Sequence, residues 1–277
     1  MAGTNVRFVT VNGEDAAVCS VLDRGLQFGD GLFETMLCVD GAAVDLEEHW
    51  LRLQEGCGRL GIQCPDIRRE VNAAIARWGT PRAVAKLVVT RGSTERGYRC
   101  AASVRPNWVL TLSDAPKHPL AHGSGGVAVK LCRTRVSLED PQLAGVKHLN
   151  RLAQVLARRE WEDEYHDGLM TDPGGRLIEG CTTNLFLVAG GTVRTPDLTA
   201  CGVRGIVRQK VLDHAKASGI PCEVTQLGLQ ELERADEVFL TNSVFGVVPV
   251  GAVDGTKYGV GPVTARLMRE LCQGVYF

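Results

Sequence analysis

Strand-like and helix-like segments follow one another in this 277-residue chain without a regular β-α-β alternation, and that order narrows its architecture more than any other feature. A doubly wound parallel sheet needs strand, helix and strand in repeating succession, so that design is set aside. RFVTVNGEDAAV has two short extended runs around Asn12-Gly13, a hairpin signal. In DLEEHWLRLQEGCGRLGI, Leu46, Trp50, Leu53, Cys57 and Leu60 recur at the three-and-four spacing of one helix face. A second helix lies around IRREVNAAIARW and stops at Gly79-Thr80-Pro81. AVAKLVVTRG and NWVLTLSDAP, rich in β-branched residues, read as strands.

The Pro- and Gly-rich stretch between Asp114 and Gly126, APKHPLAHGSGG, reads as a linker, and the chain is long enough for two ordinary domains. Beyond it come a strand at GVAVKLCRTRV, two short strands around the turn of HDGLMTDPGGRLIEG, and another at NLFLVAGGTVRTP. GIVRQKVLDHAKASGI reads as a helix, ELERADEVFLTNSVFGVVPV ends in a buried strand, and TARLMRELCQGV closes as a helix. A hydrophobic content of 44%, a charged content of 23% and a net charge of −1 suit a globular protein with no general affinity for nucleic acid or anionic membrane. The ten cysteines include no C-x-x-C pair, which argues against a zinc site or a disulfide framework. With no signal-peptide pattern at the start, they are expected to be reduced thiols in a cytoplasmic protein.

GVKHLNRLAQVLARREWEDEYHDG, residues 145–168, reads as a helix from Leu149. Leu149, Leu152, Ala153, Leu156 and Ala157 would form its buried face, with Arg151, Arg158 and Arg159 on the solvated side. Lys147 stands just before that pattern, at the mouth of the helix. No nucleotide-binding fingerprint is present. CGVRGIVRQKVLDHA is nonetheless suited to an anion, because Gly205, Ile206 and Val207 begin a helix whose first N–H groups have no internal partner. TNSVFG adds the Ser243 hydroxyl at a strand end. Each of these has an ordinary structural explanation when taken singly.

Their order along the chain is more specific. RGLQFGDGLFET, HWLRL, VTRGSTERGY, GVKHLNRL, RLIEGCTTNLF, GVRGIVRQ and FLTNSVFGVVPV together closely resemble the fold-type IV pyridoxal-phosphate enzymes, over nearly the whole chain. The resemblance implies an α+β fold like that of D-amino acid aminotransferase. A smaller N-terminal α/β domain (1–115) and a linker (116–126) would precede a C-terminal pseudo-barrel domain (127–277) carrying the cofactor lysine. It also implies a homodimer acting on a small molecule. Within the family, KHLNRLAQVLAR and RGSTERGY are most like the 4-amino-4-deoxychorismate lyases, which release 4-aminobenzoate and pyruvate for folate synthesis. The alternative is an aminotransferase for D- or branched-chain amino acids.

By the same resemblance, Lys147 holds pyridoxal 5′-phosphate and later moves protons, a role that burial and nearby cations assist by lowering an amine's pKa. Glu179 is the acidic partner of the pyridine nitrogen. Arg52, Gly205, Ile206, Val207 and Ser243 hold the phosphate, Arg52 with the planar fork that suits a dianion. Thr35 lies near the ring as a catalytic polar group, and Arg96, Tyr98 and Asn150 are substrate contacts. His148 flanks the lysine, and His49 is a packing group.

Overall fold

The computed structural model describes residues 6–15, 17–78, 80–100, 103–120 and 125–276. Gly79 and residues 121–124 of the expected linker lie outside the described residues. The chain forms two compact units: Met1–Pro116 with Val146–Asn150, and Lys117–Gly145 with Arg151–Phe277.

The first unit contains β1 (Val6–Val11), α1 (Arg24–Phe28), β2 (Gly31–Val39), β3 (Ala42–Ala43), α2 (Leu46–Leu60), α3 (Arg68–Trp78), β4 (Arg82–Thr90) and β5 (Asn107–Asp114). Its sheet runs β1-β5-β4-β2-β3, and every pairing is antiparallel. Trp50, Leu53 and Cys57 of α2 and Val71 and Ile75 of α3 pack with Leu32, Met36, Leu87 and Leu110 from the sheet. The two-residue period of β2 sends Leu32, Glu34 and Met36 to this buried side and leaves Phe33 and Thr35 partly open on the other. A glutamate on a core-facing position needs partners, and these are described below.

Two expectations are corrected in this unit. Asn12 and Gly13 both take positive φ, 53° and 88°, and Val11 and Glu14 exchange backbone bonds of 2.9 and 3.0 Å across the turn. The run after the turn forms no strand among its described residues, and β1 pairs with β5. The sequence reading had also passed over β2, the nine-residue strand paired along its whole length with β4.

The segment carrying Lys147 belongs to this unit as well, whereas the sequence reading had kept it within 127–277. Near its start β2 pairs with β4 on one side, while β3 reaches only Cys38 and Val39 on the other. Residues 147–149 take the open edge. Phe33 N–H donates to Lys147 O at 3.1 Å, Leu149 N–H donates to Gly31 O at 3.0 Å, and Leu32 and His148 form an antiparallel bridge. Lys147 is thus held in extended backbone rather than at a helix mouth.

The second unit contains β6 (Val127–Leu131), α4 (Leu152–Arg158), β7 (Asp167–Thr171), β8 (Leu177–Gly180), β9 (Asn184–Ala189), β10 (Thr192–Pro196), α5 (Ile206–Ala217), β11 (Cys222–Thr225), α6 (Leu229–Glu233), β12 (Glu237–Asn242), β13 (Gly246–Val253), β14 (Thr256–Lys257) and α7 (Pro262–Cys272). The order β11-β10-β9-β12-β13-β6-β7-β8 closes on itself, because β8 also pairs with β9 at Glu179–Asn184. Six strands therefore form a ring, which leaves no open edge among them. Parallel β13–β6 and β6–β7 pairs make it a mixed barrel, filled by Leu169, Leu185, Leu187, Leu240, Val248 and Val250. Helix α7 packs on β12 and β13, and α5 packs on β12.

Helix α4 starts at Leu152, three residues later than the periodicity suggested. Ala153 and Ala157 face the core, but Leu152 (69% exposed), Val155 and Leu156 do not. The apolar spacing identified residues sharing a face, and nothing in that spacing says what covers it. Among the described residues no helix is long and apolar enough to cross a membrane, and no group of His, Cys, Asp or Glu could hold a metal. Among the described residues no cysteine forms a disulfide.

Candidate active site

In the first unit, β2 and the 147–149 segment place the lysine. Lys147 Nζ stands over the Phe33 ring, 4.1 Å from its centroid. Lys86 Nζ lies 5.2 Å from the same ring, and Lys86 is the cross-strand partner of Thr35. Phe33 and Thr35 share one face of β2, so the lysine, the aromatic ring and the hydroxyl-bearing residue are neighbours.

Behind that strand, Glu34 is 2% exposed and receives an ordered set of donors from α2. His49 Nδ1 lies 2.7 Å from Glu34 Oε2, Arg52 Nε donates to Oε1 at 2.8 Å, and Arg52 Nη2 also bonds Oε2. Burial alone would raise the Glu34 pKa. The Arg52 charge and the bonds from His49 and Arg52 outweigh it and hold the group at about 2. Arg52 is therefore an oriented, half-buried guanidinium rather than a solvated helix arginine. Buried His49 serves as packing and as a donor or acceptor to Glu34.

The 92–98 loop holds Arg96 and Tyr98, both exposed, Tyr98 to 85%. It is tied down by a residue that sequence reasoning missed. Buried Arg24 donates to Thr94 Oγ1 (3.2 Å), Gly97 O (3.0 Å) and Tyr98 O (3.1 Å), and its guanidinium lies 5.0 Å from the Phe28 ring centroid. Arg24 Nε also donates to Asp30, which Arg91 grips in turn. Burial opposes the Asp30 charge, but the bonds from Arg91 and Arg24 keep its carboxyl below the usual range. Asn150 is exposed but tethered: its Nδ2 donates to Gly29 O at 3.4 Å, and its N–H donates to Nδ1 of buried His148.

In the second unit, Glu179 is the next-to-last residue of β8, 4% exposed, and its Oε2 accepts the Val203 N–H at 2.8 Å. The turn after β8 is clamped by Asp167, whose Oδ2 accepts from Thr182 N–H, Thr182 Oγ1 and Thr183 Oγ1. Arg151, expected on a solvated face, lies within electrostatic reach of Glu179 and Glu139, and burial lowers its pKa. Gly205 caps α5 without a side chain, so Ile206 and Val207 begin the helix with outward-pointing N–H groups. Ser243 sits in a turn shaped by Asn242, whose Oδ1 accepts from Val244 and Phe245 N–H at 3.0 and 2.8 Å.

Comparison with known proteins places this arrangement. The amino-transferase class IV model matches residues 31–253, which span both units. The chain belongs to the class IV aminotransferase family. That family is pyridoxal-phosphate-dependent and has the fold-type IV architecture of an antiparallel sheet domain followed by a mixed barrel. The chain is 33% identical to aminodeoxychorismate lyase of Vibrio harveyi over 94% of this chain and 98% of that protein. It is 32% identical to a putative branched-chain-amino-acid aminotransferase of Methanocaldococcus jannaschii, over 94% of this chain and 92% of the other. Among solved structures, 4-amino-4-deoxychorismate lyase from Pseudomonas aeruginosa superposes with a TM-score of 0.92 at 45% identity, covering 97% of this chain and all of that one. The branched-chain aminotransferase of Escherichia coli shares the class IV fold, with a TM-score of 0.82 at 24% identity over 99% and 97% of the two chains.

Proposed function

We propose that this chain is a pyridoxal-phosphate-dependent 4-amino-4-deoxychorismate lyase that releases 4-aminobenzoate and pyruvate. The observation carrying the reading is the 45% identity, with a TM-score of 0.92, to the Pseudomonas aeruginosa lyase. An aminotransferase is the second reading, favoured by the 32% identity to the Methanocaldococcus jannaschii protein.

The residues present suit the cofactor. A Cβ at position 205 would stand 2.0 Å from Asn184 Oδ1, so the α5 start is a cradle open only because residue 205 is glycine. Its amides would hold a phosphate dianion, with the Ser243 hydroxyl and Arg52 as further ligands, the guanidinium turning to it the N–H groups that Glu34 does not take. Buried Glu179, whose Oε2 accepts from Val203 N–H, would be the carboxylate that pairs with a protonated ring nitrogen. Bound pyridoxal phosphate would supply an aldehyde for the substrate amine and a ring that accepts the electron pair left by deprotonation.

Lys147 would carry that aldehyde covalently between turnovers. Its Nζ would take the proton from the carbon bearing nitrogen and return it to the enolpyruvyl group that leaves as pyruvate. Thr35, on the same face of β2 as Phe33, would orient the substrate, and Arg96 would meet one of its two carboxylates, with Tyr98 and Asn150 as further contacts. Loss of the enolpyruvyl group leaves an aromatic ring, which provides much of the driving force. The reading brings with it a cytoplasmic homodimer, supported by the exposed Leu152, Val155 and Leu156 of α4.

The test is to give the purified protein, pyridoxal phosphate and 4-amino-4-deoxychorismate, without any 2-oxo acid, and to follow pyruvate. Continuous release matched by 4-aminobenzoate is expected. Turnover that requires an added 2-oxo acid would replace the lyase with the aminotransferase.

A further inference from the structure

Asn184 has no part in the reading above, yet its side-chain amide is engaged at both ends. It is 5% exposed. Its Nδ2 donates to Val203 O at 2.8 Å, while its Oδ1 presses against Gly205, where an added Cβ would meet it at 2.0 Å. Directly across the β8–β9 ladder from Asn184 is Glu179, which accepts the N–H of the same residue, Val203. Two cross-strand neighbours therefore hold both polar groups of one backbone residue. Val203 in turn bridges Gly145, whose N–H donates to Gly202 O at 3.0 Å and whose O accepts from Arg204 N–H at 3.1 Å. Two residues beyond Val203 stands the cap of α5.

We propose that Asn184 is a positioning residue for phosphate-cofactor binding: by donating to Val203 O, opposite the Glu179 bond, it sets the direction of the N–H groups that open α5. The inference rests on the reading of α5 as the phosphate cradle. It couples that cradle to Glu179, so the phosphate ligands and the ring acid keep a constant spacing. A buried Val203 carbonyl deprived of its donor would turn toward another, and the α5 amides would turn with it. The donor is what matters, so aspartate, which has the same shape but no N–H, cannot replace it.

The experiment uses the full chain dialysed free of ligand. Calorimetry measures binding of inorganic phosphate and, separately, of pyridoxal phosphate to wild type, Asn184→Ala, Asn184→Asp and Gly205→Ala. Asn184→Ala is expected to weaken both ligands about tenfold, the worth of roughly one net hydrogen bond. Asn184→Asp should be no better than alanine, and hydrogen exchange at Ile206 and Val207 should quicken in both. Wild-type affinity in Asn184→Asp would mean that the side chain only fills space, and it would overturn the proposal. So would Asn184→Ala within twofold of wild type. Should the Asn184 variants fail to fold, Gly205→Ala tests the contact from the other side. Position 205 has φ −70°, which accepts alanine, so the new methyl acts by displacing the Asn184 amide. A comparable loss is expected, and unchanged binding refutes the idea. If wild type binds pyridoxal phosphate but the phosphate ion shows no affinity for it, the α5 cradle fails and this inference falls with it. Wild-type phosphate binding that Asn184→Ala leaves intact removes the Asn184 role alone.

Discussion

Replacing Glu34 by glutamine tests the electrostatic centre of the first unit. The glutamine keeps the volume but removes a buried anion from between His49 and Arg52. Glu34 falls from an ordinary 4.5 to about 2 in the fold. A folded pKa below the unfolded one means that the stabilisation is fully present above pH 4.5 and is lost as pH falls toward 2. A difference of about 2.5 units at roughly 1.4 kcal/mol each gives about 3 kcal/mol at neutral pH. The amide also offers a donor to the donors of Arg52, so the loss should be at least that large, in line with the roughly 3–5 kcal/mol for breaking a buried pair. Urea unfolding of wild type and Glu34→Gln, followed from pH 7 down to pH 2.5, gives the comparison. The gap should be about 3 kcal/mol at pH 7 and should narrow below about pH 4.5. A gap under about 1 kcal/mol at neutral pH, or one that stays constant into acid, would refute the assignment of Glu34 as a buried, arginine-stabilised anion.

Lys147→Ala should abolish turnover and change unfolding free energy by less than about 1 kcal/mol, because its half-exposed side chain fills no core space; substantial residual turnover would remove the mechanism. Arg24→Ala should speed amide exchange across residues 94–98 and raise KM more than it lowers kcat, since the loop loses three tethers while Asp30 keeps Arg91. Equal exchange in the two proteins would show that the loop needs no such tether. Asp167→Asn should cost about 2 kcal/mol, because the new NH2 must face one of the donors that the carboxylate now accepts: Gly168 N–H, Thr182 N–H, or the hydroxyls of Thr182 and Thr183. Denaturant melts would check it, and a loss below 0.5 kcal/mol would contradict the geometry.

Local patterns carried much of the fold. Trp50, Leu53 and Cys57 of α2 were legible because burial on one face imposes a period that neighbouring residues display by themselves, and β4 and β5 because β-branched residues cluster in them. β2 was harder to read. A glutamate on its core side and Phe33 and Thr35 on its partly open side blur the usual contrast, and Glu34 becomes tolerable only when Arg52 and His49 arrive from another element. Helix α4 misled for the opposite reason: its apolar stripe is genuine, but Leu152 and Leu156 have no cover within the chain. Arg151 looked like an ordinary charged helix residue, and only packing brought it near Glu179 and Glu139.

The candidate site divides in the same way. The ordered motifs, by their resemblance to the family, pointed to Lys147, Glu179, Arg52 and the glycine-led helix start as candidates for an amine, an acid, a guanidinium and free amides. Residues that act through backbone partners distant in sequence were invisible to that approach. Arg24 reaches across about 70 positions to a loop, and Asn184 reaches 19 to a carbonyl. Composition and local spacing thus indicated most of the elements, though not β2, and which reactive groups exist. Only folding decided which buried donor meets which buried acceptor, because that pairing depends on contacts between residues far apart in the chain and not on any short stretch of it.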